Sequence, residues 1–250
     1  RHDSGLLREL RQAGRNSTGC RAVGSLPGGE TTDRDDPSFK GQAAYTRLFL
    51  KLYDPFVVGF MTRAVWRSPV PPVVDRYRQL MGRRHLDVGP GTGYFLAKAA
   101  PPEGAEITLL DPNPNVLAHA SRTLRPLHPV TIEADVMKPL PVEGPFDSAA
   151  LSYVLHCLRG PQSQKAVAIQ NIARVLTADG VLFGGTVLGL PERHTPQARL
   201  FLRLVNWRGD FDNLGDTADG LRRILEGSFE TVEVDVVGST ANFTARRPHA

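Results

Sequence analysis

From residue 84 onward, short apolar runs alternate with stretches in which apolar residues recur at helical spacing. The runs at 85–88, 107–110, 130–133, 148–152 and 181–186 have the length of strands, and the stretches at 93–100, 115–124 and 162–176 have the period of helices. Short apolar strands separated by helices predict an α/β fold, a mostly parallel sheet covered on both faces. Near the C-terminus the pattern changes. Residues 218–225 repeat as a helix, 231–237 alternate apolar and charged side chains, Gly238 and Ser239 form a turn, and 241–245 alternate again, which predicts an antiparallel hairpin.

Before residue 84 the organisation differs. Tyr45, Leu48, Phe49, Leu52, Tyr53, Phe56, Val57, Phe60 and Met61 recur at helical spacing, with Pro55 as a break or kink. A second helix is expected over 72–81, with proline in its first turn. Residues 1–37 are rich in Gly, Ser, Arg and Asp with little periodicity, the composition of a flexible leader. The expected layout is therefore a leader (1–37), an N-terminal helical cap (38–82) and a ligand-binding domain (83–250). Within the last, 191–216 is long and mixed, and carries Phe201, Asn206, Trp207, Phe211 and Asn213; such a segment suits a substrate wall.

Composition narrows the class. The chain has 250 residues, of which 41% are hydrophobic, enough for a sizeable core. No apolar run reaches the ~20 residues of a membrane span, and the first residues lack the apolar stretch of a secretory signal. Cys20 and Cys157 are far apart in sequence, which argues against a disulfide framework or a metal site and fits a reducing cytoplasm. The formal charge is +4, but the arginines are scattered, which reads as solvated surface rather than a nucleic-acid interface.

The most informative stretch is Leu86-Asp87-Val88-Gly89-Pro90-Gly91-Thr92-Gly93-Tyr94-Phe95, where a strand enters a glycine-rich turn and a helix follows. Glycine allows a sharp turn and a close backbone approach to a ligand, and the helix start presents free N–H groups. A dinucleotide loop wants G-x-G-x-x-G; this one is G-x-G-x-G, preceded by Asp87. The next strand ends at Asp111-Pro112, where a carboxylate can accept both hydroxyls of a ribose, although Asp111 could also cap the helix that follows. The third strand ends at Asp135-Val136, placing a carboxylate for an exocyclic amine and an apolar side chain for a ring, although Asp135 could also serve only the turn.

As a set these residues resemble the signature of the class I S-adenosylmethionine-dependent methyltransferases, over roughly residues 70–246. The resemblance extends to Phe146-Asp147, to Ser152-Tyr153-Val154-Leu155-His156-Cys157 after the fourth strand, and to Leu176–Leu182 leading into the fifth. It implies a three-layer, Rossmann-like, seven-stranded sheet with a C-terminal antiparallel hairpin. It also implies S-adenosylmethionine as cofactor. Gly89, Pro90, Gly91 and Gly93 would hold its methionyl end with Asp87 beneath, Asp111 and Pro112 its ribose, Asp135 and Val136 its adenine, and Ser152 would face the methyl donor. Tyr45, Tyr53 and Trp66, which lie before the sheet, would add aromatic contacts to cofactor or substrate, since aromatic faces stabilise cations, or would only pack an amphipathic helix on the core. More loosely, the tyrosine-rich N-terminal helices resemble bacterial small-molecule methyltransferases.

Methyl transfer from a sulfonium is an in-line displacement in which the protein chiefly aligns the reactants and excludes water. His156, just after the fourth strand, is the candidate base if one is used, and its alternative role is to pack beside the cofactor. Tyr153 is a candidate for hydrogen bonding to substrate. The aromatic residues of 191–216 suit an aromatic or apolar acceptor. An RNA or DNA methyltransferase is the first rival; the Asn/Asp-Pro-Pro-aromatic run of base-amine methylation is missing after the fourth strand. A cofactor-assisted cyclase and a degenerate cofactor-binding partner subunit are the others.

Overall fold

The structure is a computed structural model that describes residues 65–249, within the second of the two units, Arg1–Arg34 and Asp35–Ala250, into which the chain divides. Residues 1–37, expected to be a leader, the helix expected around Tyr45 and Tyr53, and Cys20 lie outside the described residues.

The chain forms α1 (Val70–Leu80), β1 (Arg84–Val88), α2 (Tyr94–Ala99), β2 (Glu106–Asp111), α3 (Pro114–Thr123), β3 (Val130–Glu133), β4 (Phe146–Ser152), α4 (Ala166–Ala173), β5 (Leu176–Val187), α5 (Pro196–Arg208), α6 (Ala218–Glu226), β6 (Phe229–Val237) and β7 (Thr240–Pro248). The strands make one seven-stranded sheet in the order β3-β2-β1-β4-β5-β7-β6. The first five run parallel, while β7 lies antiparallel between β5 and β6. This is the α/β sheet with a C-terminal hairpin that the periodicity predicts. No described helix is long and apolar enough to cross a membrane.

Side-chain alternation on the central strands feeds two cores. On one face Leu86, Val88, Leu151, Leu182 and Phe243 pack with Ile169 and Ile172 of α4 and Leu221 and Leu225 of α6. On the other, Leu109, Ala150 and Phe183 pack with Val73, Val74 and Tyr77 of α1, Leu96 of α2 and Leu117 of α3. Adjacent residues Leu182 and Phe183, both fully buried, serve opposite faces, as the period of two requires. Each such side chain contributes about 1.5–3 kcal/mol by leaving water.

Two predicted boundaries move. The helix expected over 162–176 is α4, Ala166–Ala173, and Leu176 instead opens β5 by pairing with Phe146. Burial of Leu176 against the core outweighs the continued helical pattern, and a register shift between Phe146 and Ser148 absorbs exposed Ala178 and Asp179. The mixed segment 191–216 contains a helix, α5. Thr195 caps it by accepting the Ala198 N–H at 3.2 Å, proline enters its first turn, and Gly209 in the left-handed region (φ 80°) ends it.

Candidate active site

The C-terminal ends of β1, β2, β3 and β4 lie side by side, and the residues singled out by their spacing gather there. The first turn follows β1. The Gly89 N–H donates to the Leu110 carbonyl at 2.8 Å and the Gly93 N–H to the Pro90 carbonyl at 2.9 Å, which folds the loop back on itself. Gly89 and Gly91 both have positive φ, 67° and 57°, for different reasons. A Cβ at Gly89 would stand 2.4 Å from Val154 Cγ2, so that glycine admits the chain after β4. A Cβ at Gly91 would meet nothing within 4 Å, so that glycine presents bare backbone to open space.

Asp87, 2% exposed, sits under this loop. The Tyr77 hydroxyl, reaching from α1, lies 3.3 and 3.5 Å from its two carboxylate oxygens and 3.3 Å from Ser152 Oγ at the end of β4. Burial pushes the Asp87 carboxyl up to about 7, and the Tyr77 hydroxyl works against that rise. Asp111, half-buried at the end of β2, is also raised to about 7 by desolvation, opposed by the Asn113 N–H, which donates to it at 2.7 Å. Asn113, not Asp111, caps α3: its side chain accepts from the Asn115 N–H at 2.9 Å. The helix-capping role weighed for Asp111 therefore belongs two residues further on.

After β3, half-buried Asp135 accepts the Met137 N–H at 2.9 Å. The Val136 side chain is buried in the core shared with α4 and α6. Asn171 of α4 donates to the Val136 and Lys138 carbonyls at 2.9 and 2.8 Å and fixes this loop from behind. Pro90 and Pro112 are each half-buried beside their loops.

The other side of the site is aromatic. Tyr153, directly after β4, has φ 62°, a left-handed conformation that costs a non-glycine residue about 1–2 kcal/mol. It is held by its N–H donating to the Gly185 carbonyl and by a stack on Phe95 with centroids 5.9 Å apart. His156 packs 6.2 Å from Tyr153 and 4.1 Å from Phe211, and Phe211 stacks on Trp66, which meets Phe201 edge-on. Trp66 and Phe211 lie in this aromatic cluster. Trp207 does not: it is 83% exposed on α5. Asn206 and Asn213 bond to each other, and Asn213 donates to the Val187 carbonyl, a structural role.

His156 is neutral. Burial and the nearby Lys165 ammonium push it down to about 3. Its Nδ1 accepts the Val187 N–H at 3.3 Å beside the Thr186 hydroxyl at 3.2 Å, so the proton resides on Nε2. Burial pushes the Cys157 thiol up to about 12, which makes it inert as a nucleophile.

Three contributors escaped the sequence reading. Tyr77 read only as helix interior. Lys165 is fully buried with its ammonium 2.6 Å from Asp216 and 2.7 Å from the Asp212 carbonyl. Arg76 of α1 lies in the electrostatic reach of Asp235, Glu233 and Tyr153, and its buried Nη1 has no hydrogen-bond partner among the described residues. None has a local motif. Each is defined by a partner about ten or more residues away.

Comparison with known proteins places the chain in a family. Residues 86–182 match the family described as a methyltransferase domain. Over 205 residues, 80% of this chain and 88% of the relative, the sequence is 39% identical to demethylluteothin O-methyltransferase of Streptomyces thioluteus. Over 215 residues, 85% of this chain and 97% of the relative, it is 34% identical to the physcion biosynthesis cluster O-methyltransferase of Aspergillus chevalieri. In fold, it resembles the crystal structure of N-methyltransferase NodS from Bradyrhizobium japonicum with S-adenosylhomocysteine, at a TM-score of 0.52 and 19% identity over 70% of this chain and 84% of that one. The chain belongs to the class I S-adenosylmethionine-dependent methyltransferases of small molecules, with S-adenosylmethionine as its cofactor.

Proposed function

We propose that the β1–β3 edge holds S-adenosylmethionine and that the aromatic cluster after β4 seats a flat apolar or aromatic small molecule, methylated on oxygen. The donor set fits the cofactor. The open face of Gly91 leaves room for its methionyl end. Asp87, buried with no ion pair among the described residues, suits the methionyl ammonium. Asp111 has one oxygen tied to Asn113, and its carboxylate suits the ribose hydroxyls. Asp135 suits the adenine amine, while the buried Val136 side chain supports the loop more than it touches a ring. The observation that carries the reading is the pair of desolvated carboxylates flanking a loop whose middle glycine faces open space.

The bound cofactor supplies an electrophilic methyl on a sulfonium. The chain's own residues align the acceptor with it and keep water out. Tyr153, Phe211 and Trp66 offer aromatic surface to a flat acceptor, and the Arg76 Nη1, without a hydrogen-bond partner among the described residues, suits an oxygen substituent on it. His156 orients the acceptor. What supports this over proton removal is a neutral ring whose Nδ1 is already engaged, leaving an Nε2 donor. The two relatives described above, both O-methyltransferases, favour oxygen as the accepting atom. On this reading residues 83–250 bind the cofactor, 38–82, Tyr53 included, cap it, and 1–37 form a leader. The protein works in the cytoplasm, which its two cysteines support, and not on nucleic acid, which its scattered arginines disfavour.

Calorimetric titration with S-adenosylhomocysteine tests the reading. The intact protein is expected to bind, and Asp111→Ala to bind about 100-fold more weakly, the loss expected of hydrogen bonds to a charged group. Failure of the intact protein to bind at any concentration overturns it.

A further inference from the structure

Tyr77 is a core residue by every apolar measure. It is 1% exposed, with its ring edge-on to Phe183 at 5.0 Å and stacked on Phe95 at 6.2 Å. A phenylalanine would fill the same space. The hydroxyl therefore calls for its own account, because a buried hydroxyl is costly unless it is hydrogen-bonded. Its partners are Asp87 and Ser152, from two different strands, and all three residues are buried.

The protons of the trio can be counted. A hydroxyl has one proton to donate, and ionised Asp87 has none. The three groups are satisfied together when Ser152 Oγ–H donates to the Tyr77 oxygen and the Tyr77 O–H donates to Asp87. Among the described residues, no other side chain is hydrogen-bonded to Asp87 and no ion pair reaches it. Among the described residues the carboxylate is thus held by one donor, at the end of the strand that enters the glycine loop, without a counter-charge.

We propose that Tyr77 is a positioning residue for the cofactor: its hydroxyl, oriented by Ser152, holds the Asp87 carboxylate in the orientation and charge state in which it receives the methionyl ammonium. The inference rests on the cofactor reading above. It gives α1 a chemical task beyond covering the sheet. It also assigns Ser152 an indirect role, as the group that turns the tyrosine proton toward Asp87.

The test is S-adenosylhomocysteine affinity of the intact protein and of Tyr77→Phe, measured by calorimetry between about pH 6 and about pH 9, with thermal unfolding of both. Removing the hydroxyl takes away the group that opposes the rise of the Asp87 carboxyl. Asp87 then ionises at higher pH. The variant should bind about tenfold more weakly near pH 7, the size expected of one hydrogen bond to a charged group, and the gap should narrow toward pH 9. The pH midpoint of binding should move upward.

A loss of equal size at every pH, or no loss, overturns the proposal, because a purely packing role moves stability and not the pH midpoint. Ser152→Ala leaves the core ring in place and should shift the midpoint in the same direction by less; an unshifted midpoint in Ser152→Ala overturns the proposal even if Tyr77→Phe fails to fold. Failure of the cofactor reading looks different: the unmodified protein itself then binds nothing across the whole range.

Discussion

On the β1–β2–β3 side of the sheet the site is made chiefly by backbone and by residues next to one another in sequence. The loop 89–93 turns on its own hydrogen bonds, Asp111 is tied to Asn113, and Asp135 to Met137. On the β4–β5 side it is made by side chains that meet from distant elements: His156 with Phe211, Phe211 with Trp66, Lys165 with Asp216. The first kind of construction suits a ligand that is always the same. The second can be retuned by exchanging single side chains, which suits an acceptor that differs from one enzyme to the next. A backbone cradle is sensitive to added volume; a side-chain assembly is sensitive to lost partners.

Three substitutions separate the two constructions. The largest effect is expected at Lys165→Met, on the acceptor side. Breaking a fully buried pair leaves Asp216 desolvated and unmatched, at a cost of about 3–5 kcal/mol in urea unfolding. At temperatures where it stays folded, its S-adenosylhomocysteine affinity should match that of the unmodified protein. Parallel loss of affinity would show that the two sides are not built independently.

Gly91→Val reverses the pattern. The new side chain occupies the open face, and calorimetry should record cofactor affinity lowered about 100-fold or more. Unfolding should shift by only about 1–2 kcal/mol, the strain of a positive φ at a non-glycine residue. Retained affinity would place the cofactor elsewhere.

Asp87→Asn sharpens the comparison through pH. The folded carboxyl titrates near 7, against 3.8 when unperturbed. Between those values the folded chain keeps a proton that the unfolded chain has released, so stability without cofactor falls as pH rises from about 4 to about 7 and stays low above that. The amide cannot titrate. The variant should therefore gain on the order of 2 kcal/mol over the unmodified protein at pH 8 relative to pH 5 in urea melts, while losing cofactor affinity. An identical pH trend in both proteins would remove Asp87 as the source.

The same division explains what the sequence disclosed. The strand–loop–helix at Asp87–Phe95 and the acids at Asp111 and Asp135 are local, so spacing alone locates them and the sheet that carries them. The alternating C-terminal segments disclose the antiparallel hairpin in the same way. Tyr77, by contrast, looks like any apolar helix position until β1 and β4 close beneath it, and Lys165 looks like a solvated charge until Asp216 arrives from 51 residues away. Periodicity carries α4 too far because Leu176 fits a helical pattern, and only its pairing with Phe146 makes it a strand. Helix α5 had local signals, Thr195-Pro196 at its start and Gly209 at its end, that its mixed composition concealed.

The buried lysine also has a bearing on traffic. Besides Lys165, the Asp212 N–H donates to the His156 carbonyl, the Gly160 N–H to the Asp212 carboxylate, and Arg159 to the Gly209 carbonyl. Residues 209–216 are thereby riveted to the chain leaving β4. A segment fastened at so many points is an anvil, not a door: on the proposed reading an acceptor would press against it, and the coming and going of acceptor and product would fall to the other rims of the site.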